Sequence, residues 1–92
     1  MKIKEGYMIR EIAGQYVVVP LGARVVEFNG IITLSESGAF LWKKLVEGAE
    51  TRELVESIVK EYDVDHTIAQ KDVEEFIASV SEKNLLEQMV YK

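Results

Sequence analysis

The 92-residue chain is 48% apolar and 29% charged, with a formal net charge of −5, no cysteine and one histidine. That length and mixture suit one folded domain over residues 1–92 rather than a disordered tail. Without cysteine there is no disulfide, thiolate zinc site or iron–sulfur ligation, and His66 alone makes no histidine metal cluster.

The first third reads as strands. Residues 7–12 and 16–19 are β-branched and aromatic runs separated by Ala13-Gly14-Gln15, a short hairpin signal. Pro20 and Gly22 end the second run, since proline lacks a ladder donor and glycine favours a turn. A further pair is expected at Val25-Val26-Glu27-Phe28 and Ile31-Ile32-Thr33-Leu34, joined by Asn29-Gly30, because both turn residues tolerate the positive φ of a type I′ turn.

The remainder reads as three helices. Ser35 caps the first, Glu36 stands in its first turn, Leu41, Trp42 and Leu45 recur at helical spacing, and Gly48 stops it. Thr51 is placed to cap the second, whose apolar stripe is Leu54, Val55, Ile58, Val59 and Tyr62. Asp65 is placed to cap the third, with Val64 packing on Ala69, and Val73, Phe76, Ile77 and Val80 continue the buried stripe. Asn84 suits a left-handed C-terminal position, from which Leu85 and Leu86 pack back as a short extended tail. None of these short helices buries its stripe alone. The expected fold class is α+β: an N-terminal three- to four-stranded antiparallel sheet (about 6–34) followed by a three-helix, winged-helix-turn-helix-like bundle (about 35–84).

No site of catalysis emerges. His66 opens the third helix with no serine or cysteine nucleophile motif beside it. Asp72 and Glu75 share a helix face at i, i+3 and Glu74 points elsewhere, which describes a solvated face and not a hard-cation loop. Gly14, Gly22, Gly30 and Gly38 fit no phosphate-cradling pattern, and Trp42 at helical spacing reads as core rather than a stacking platform. We therefore expect no enzyme, no cofactor and no metal. The longest apolar run, residues 16–21, is broken by Pro20 and far short of the roughly 20 residues a membrane span needs. The first six residues contain no apolar h-region, so residence is expected to be cytoplasmic, with no membrane partner.

Charge separates the remaining readings. Residues 1–34 carry four basic and three acidic side chains, and residues 35–92 carry seven and thirteen. A helix-turn-helix layout suggests a DNA-binding regulator, the runner-up. The third helix, however, offers Lys71 and Lys83 against Asp72, Glu74, Glu75 and Glu82, which repels a duplex. No nucleic-acid partner is expected. The sheet edge remains. Residues 31–33 form a β-prone, uncharged run of the kind proteins blunt unless it is covered or used. Its functional reading is strand addition by a partner peptide. Three to five backbone hydrogen bonds at about 0.5–1.5 kcal/mol each do not offset association costs of roughly 4–15 kcal/mol, so apolar pockets beside the edge are required. A structural subunit whose edge pairs with itself is a third reading, against which a monomer is expected.

The run Leu34-Ser35-Glu36-Ser37-Gly38-Ala39-Phe40-Leu41-Trp42 resembles the LNETGAxxW signature of the PqqD family. Glu47-Gly48, Glu53-Leu54-Val55, Tyr62-Asp63-Val64, Asp72-Val73 with Phe76, and Leu85-Leu86-Glu87 follow in the family's order, so the resemblance covers about residues 6–87. It departs at Ser35, Ser37 and Asn84, where Asn, Thr and Gly are usual, all conservative for capping or left-handed geometry. The resemblance implies a three-stranded antiparallel sheet joined to three helices. It also implies a non-catalytic recognition element for ribosomally made, post-translationally modified peptides. Such a protein binds the leader of a precursor peptide as an added strand between the third strand and third helix. It presents that leader to a modifying enzyme, a radical S-adenosylmethionine protein in pyrroloquinoline quinone biosynthesis. On that basis Ile31, Ile32, Thr33 and Leu34 are expected to pair with the peptide, with Val26 and Phe28 adjacent. Phe76 is expected at the pocket floor and Asp72, Ser79 and Lys83 at its rim. Proline at Ile32 is expected to weaken binding.

Overall fold

The computed structural model describes residues 1–27 and 31–87, the side chains of Val26 and Glu27 excepted. Strands β1 (Tyr7–Ile12) and β2 (Gln15–Pro20) form the expected hairpin, with Ile12 opposite Gln15 and Tyr7 opposite Pro20. Its two-residue turn, Ala13 (φ 51°) and Gly14 (φ 80°), has both residues left-handed, as a type I′ turn requires. Alanine gains nothing from that conformation, which costs an L-residue about 1–2 kcal/mol. Ala13→Asn is expected to raise stability by about 0.5–1 kcal/mol, read as a higher urea midpoint at unchanged slope.

The structure corrects the next segment. Residues 24–27 form a one-turn helix, α1 (Arg24–Glu27), and not a strand. The chain leaves β2 at Pro20, turns at Gly22 (φ 54°), and closes local bonds from the Arg24 amide to the Leu21 carbonyl (3.0 Å) and from Val25 to Gly22 (3.2 Å). Arg24 then anchors the turn, its Nε donating to the Glu5 carbonyl at 2.9 Å and its guanidinium lying 5.8 Å from the Tyr7 ring centroid. Valine's strand preference is a preference for a half-buried pleated surface, which this position does not offer: Val25 is 56% exposed. The expected turn at Asn29-Gly30 lies outside the described residues, as does Phe28. Strand β3 (Ile32–Leu34) pairs antiparallel with β2, giving the order β1-β2-β3.

Three longer helices follow: α2 (Glu36–Glu47), α3 (Thr51–Tyr62) and α4 (His66–Glu82). Ser35 caps α2, its Oγ accepting from the Gly38 amide at 3.0 Å, and Gly48 (φ 102°) ends it. The cap of α3 is Glu50 rather than Thr51, because Glu53 reaches back to accept from the Glu50 amide at 2.9 Å. Asp65 stands at the cap position of α4 without a side-chain cap bond. At the far end Asn84 (φ 60°) sits left-handed, the Leu85 amide donates to Val80 (2.9 Å) and the Asn84 amide to Ser81 (3.0 Å), a Schellman closure.

That closure turns the tail back, so Leu85 is fully buried and Leu86 bridges Ile3. The N-terminal residues complete the clasp, with Ile3 donating to the Leu45 carbonyl and Lys4 to that of Leu85. One apolar core lies between the helix-facing side of the sheet (Val18, Ile32) and the three helices, centred on Trp42, Leu45, Leu54, Ile58 and Val73. Trp42 is 1% exposed and meets Tyr7 edge-on at 6.5 Å, joining α2 to the hairpin.

Candidate functional site

The hairpin turn sets which backbone groups of β3 are free. In a two-residue hairpin the closing pair exchanges hydrogen bonds, and such pairs alternate along the ladder. Ile12 and Gln15 close this one, and the Leu21 amide donating to the Gly6 carbonyl at 2.8 Å fixes the same parity at the other end. Gln15, Val17 and Val19 therefore direct their N–H and C=O groups toward β1, and Tyr16 and Val18 direct theirs toward β3. Opposite them, Leu34 and Ile32 turn their groups inward to β2. Thr33 alone within β3 turns its N–H and C=O outward, to an edge that no described strand covers. By the same alternation Ile31, just before the strand and 65% exposed, also faces outward.

Beside that edge lies a groove of about 340 Å³ between β3, the start of α2, and α4. Thr33, Leu34 and Ser35 form one wall, and Asp72, Glu75, Phe76 and Ser79 form the other. The α4 set is one helical stripe at i, i+3, i+4 and i+7. Leu34 and Phe76 are half-buried and Leu41 buried, which makes an apolar floor. Gly38 permits the close approach. A Cβ there would lie 3.2 Å from Ser35 Oγ, tight against the cap, and 3.5 Å from Leu34 Cβ, in ordinary contact with the floor. A second cavity, lined by Glu36, Tyr62 and Asp72 among others, adjoins at Ser35. There, burial first and the carboxylates of Glu36 and Glu61 next hold the Tyr62 phenol above its ordinary pKa.

The sequence-predicted residues divide accordingly. Thr33, Leu34, Asp72, Phe76 and Ser79 are brought together on the groove. Ile32 points into the core at 8% exposure, and its backbone is committed to β2. Lys83 does not line the groove; its Nζ donates to Ser79 Oγ at 3.0 Å. Val26 belongs to α1, and Phe28 lies outside the described residues. Sequence reasoning missed Ser35, Ser37, Gly38, Leu41 and Glu75 as groove residues. Glu75 could have been found, since it shares the face of Asp72 and Ser79. Ser35 and Leu41 gave no such signal, because capping and the buried helical stripe already accounted for them. His66 is exposed, and among the described residues no three His, Asp or Glu side chains are grouped to hold a metal.

Comparison with known proteins places this architecture. The solved structure of TbiB1 in complex with the TbiA(beta) leader peptide superposes with a TM-score of 0.74 at 27% identity, over 99% of this chain and 100% of that one. Lasso peptide synthetase B1 complexed with the leader peptide shares the fold at a TM-score of 0.70 and 17% identity, over 91% and 93% of the two chains. No curated protein matches the sequence. The family model for Coenzyme PQQ synthesis protein D (PqqD) matches residues 15–86, more than three-quarters of the chain, and the chain belongs to the PqqD family.

Proposed function

We propose that this protein is a non-catalytic adaptor. It binds the leader of a ribosomally made precursor peptide as a fourth strand on β3, against α4, and presents it to a peptide-modifying enzyme such as a radical S-adenosylmethionine protein. The observation that carries the reading is the outward-facing Thr33 backbone beside a groove with an apolar floor. Support comes from the family membership and from TbiB1, the fold relative at 27% identity solved with a leader peptide. We place the adaptor in the cytoplasm as a monomer in one domain, with Thr33, Leu34, Asp72, Phe76 and Ser79 contacting the peptide. The DNA-binding reading loses further ground because Asp72, Glu74, Glu75 and Glu82 are all exposed on α4.

Magnitudes define what the peptide must bring. The free edge offers two N–H and two C=O groups, worth about 2–6 kcal/mol together at roughly 0.5–1.5 kcal/mol each. Micromolar affinity needs about 8 kcal/mol beyond an association cost of at least about 4 kcal/mol. The remaining 6–10 kcal/mol or so corresponds to roughly 240–400 Å² of buried apolar surface, the yield of about two large side chains. The leader must therefore seat two apolar anchors on Leu34, Leu41 and Phe76.

The test is a titration of isotopically labelled protein with a synthetic leader from a precursor encoded beside its gene. Amide shifts are expected at residues 31–35 and on the 72–79 face of α4. Shifts confined to α3 and the outer face of α2 would overturn the reading.

A further inference from the structure

The groove is charged unevenly. Asp72 and Glu75 stand on its α4 wall, and Asp72 shares the adjoining cavity with Glu36. A third cavity, of about 550 Å³ at the hairpin end, joins Glu36 to Glu11. These four carboxylates therefore line one continuous surface around the C-terminal end of β3, and among the described residues none of them has a hydrogen bond or ion pair. Of the neighbouring cations, exposed Lys71 beside Asp72 on α4 pairs with none of these carboxylates, and three others are turned to different partners. Lys43 Nζ lies 5.9 Å from the Tyr16 ring centroid, Lys44 Nζ lies 5.1 Å from that of Phe40, and Lys83 is held on Ser79. Tyr62 at the same end has its pKa raised by burial first and by the negative charge of Glu36 next.

Carboxylates on a helix surface are ordinarily a solvated face. Here an open strand edge and an apolar floor lie between them, so an occupant of the groove must pass within reach. Resting on the strand-addition reading above, we infer that the peptide this groove takes is cationic, with Lys or Arg flanking its apolar anchors at the end beside Leu34 and Ser35. Each exposed ion pair contributes up to about fivefold in affinity and is screened by salt. Two such contacts give about tenfold at low ionic strength.

The test is a display selection of random 15-residue peptides on the immobilised protein, with parallel selections on Asp72→Asn/Glu75→Gln and on Thr33→Pro. Enrichment of Lys or Arg at a fixed spacing from an apolar pair is expected. The double variant should lose that enrichment, and the preference for cationic over neutral versions of one selected peptide should fall from about tenfold to within twofold at 1 M salt. Peptides that require the Thr33 edge but carry no excess of Lys or Arg, or bind the double variant equally well, overturn the inference and leave the groove reading standing. Peptides that bind Thr33→Pro undiminished overturn both. The charge variants alter exposed side chains only, so retained circular dichroism is expected of them.

Discussion

Trp42→Ala is expected to destabilise the protein by about 3–5 kcal/mol, a large share of the roughly 5–15 kcal/mol that holds a domain together. The side chain is 1% exposed, among the largest of the fully buried ones, and it links α2 to the hairpin through its edge-on contact with Tyr7. Truncation removes the transfer free energy of an indole and leaves a cavity walled by two elements, which cannot both collapse inward. The same change loosens α2, which brings Gly38 and Leu41 to the groove, so peptide affinity should fall with stability. Val46→Ala on the same helix is the control. At 45% exposure it is expected to stay within about 0.5 kcal/mol. Urea denaturation reads both, and a Trp42→Ala loss below about 1.5 kcal/mol would mean that the indole is not a keystone of the core.

What was legible in the sequence was what local chemistry decides. Ala13-Gly14 closes its hairpin, Ser35 caps α2, Gly48 ends it, and Asn84 takes the left-handed conformation that sends Leu85 into the core, each within a few residues of its cause. The strand expected from Val25 gives way to α1 because the deciding partner is distant. Arg24 is anchored on the Glu5 carbonyl, 19 positions earlier, while the local letters speak for a strand. The pairing of residues 2–4 with Leu45 and residues 85–87 is non-local in the same way and left no periodic trace. The site divides along the same line. Asp72, Phe76 and Ser79 follow from helical spacing alone, whereas the side of β3 on which Ile32 and Thr33 present their backbone is dictated by a turn at residues 13–14 and transmitted through β2. A one-residue error in that parity exchanges the buried and free groups of the strand.

That parity makes Thr33→Pro the sharpest test of strand addition. Proline removes the one N–H that β3 directs outward from within the strand and leaves the β2 ladder intact, since Ile32 and Leu34 supply the inward bonds. Ile32→Pro, which the sequence alone favours, fails as a probe. It deletes a donor that faces Val18 and disturbs a side chain 8% exposed in the core, so lost binding would report lost structure. With Thr33→Pro an incoming strand keeps a carbonyl with no partner in a partly desolvated groove, at about 1–3 kcal/mol. Affinity for the leader is expected to fall about tenfold to a hundredfold while the melting temperature changes little. Thr33→Val supplies the complement, because it keeps the N–H and discards only the hydroxyl, and affinity within about twofold of the parent is expected. If the folded proline variant binds as well as the parent, the peptide does not use the β3 edge. If the valine variant loses as much as the proline variant, the threonine side chain and not the backbone is what the peptide reads.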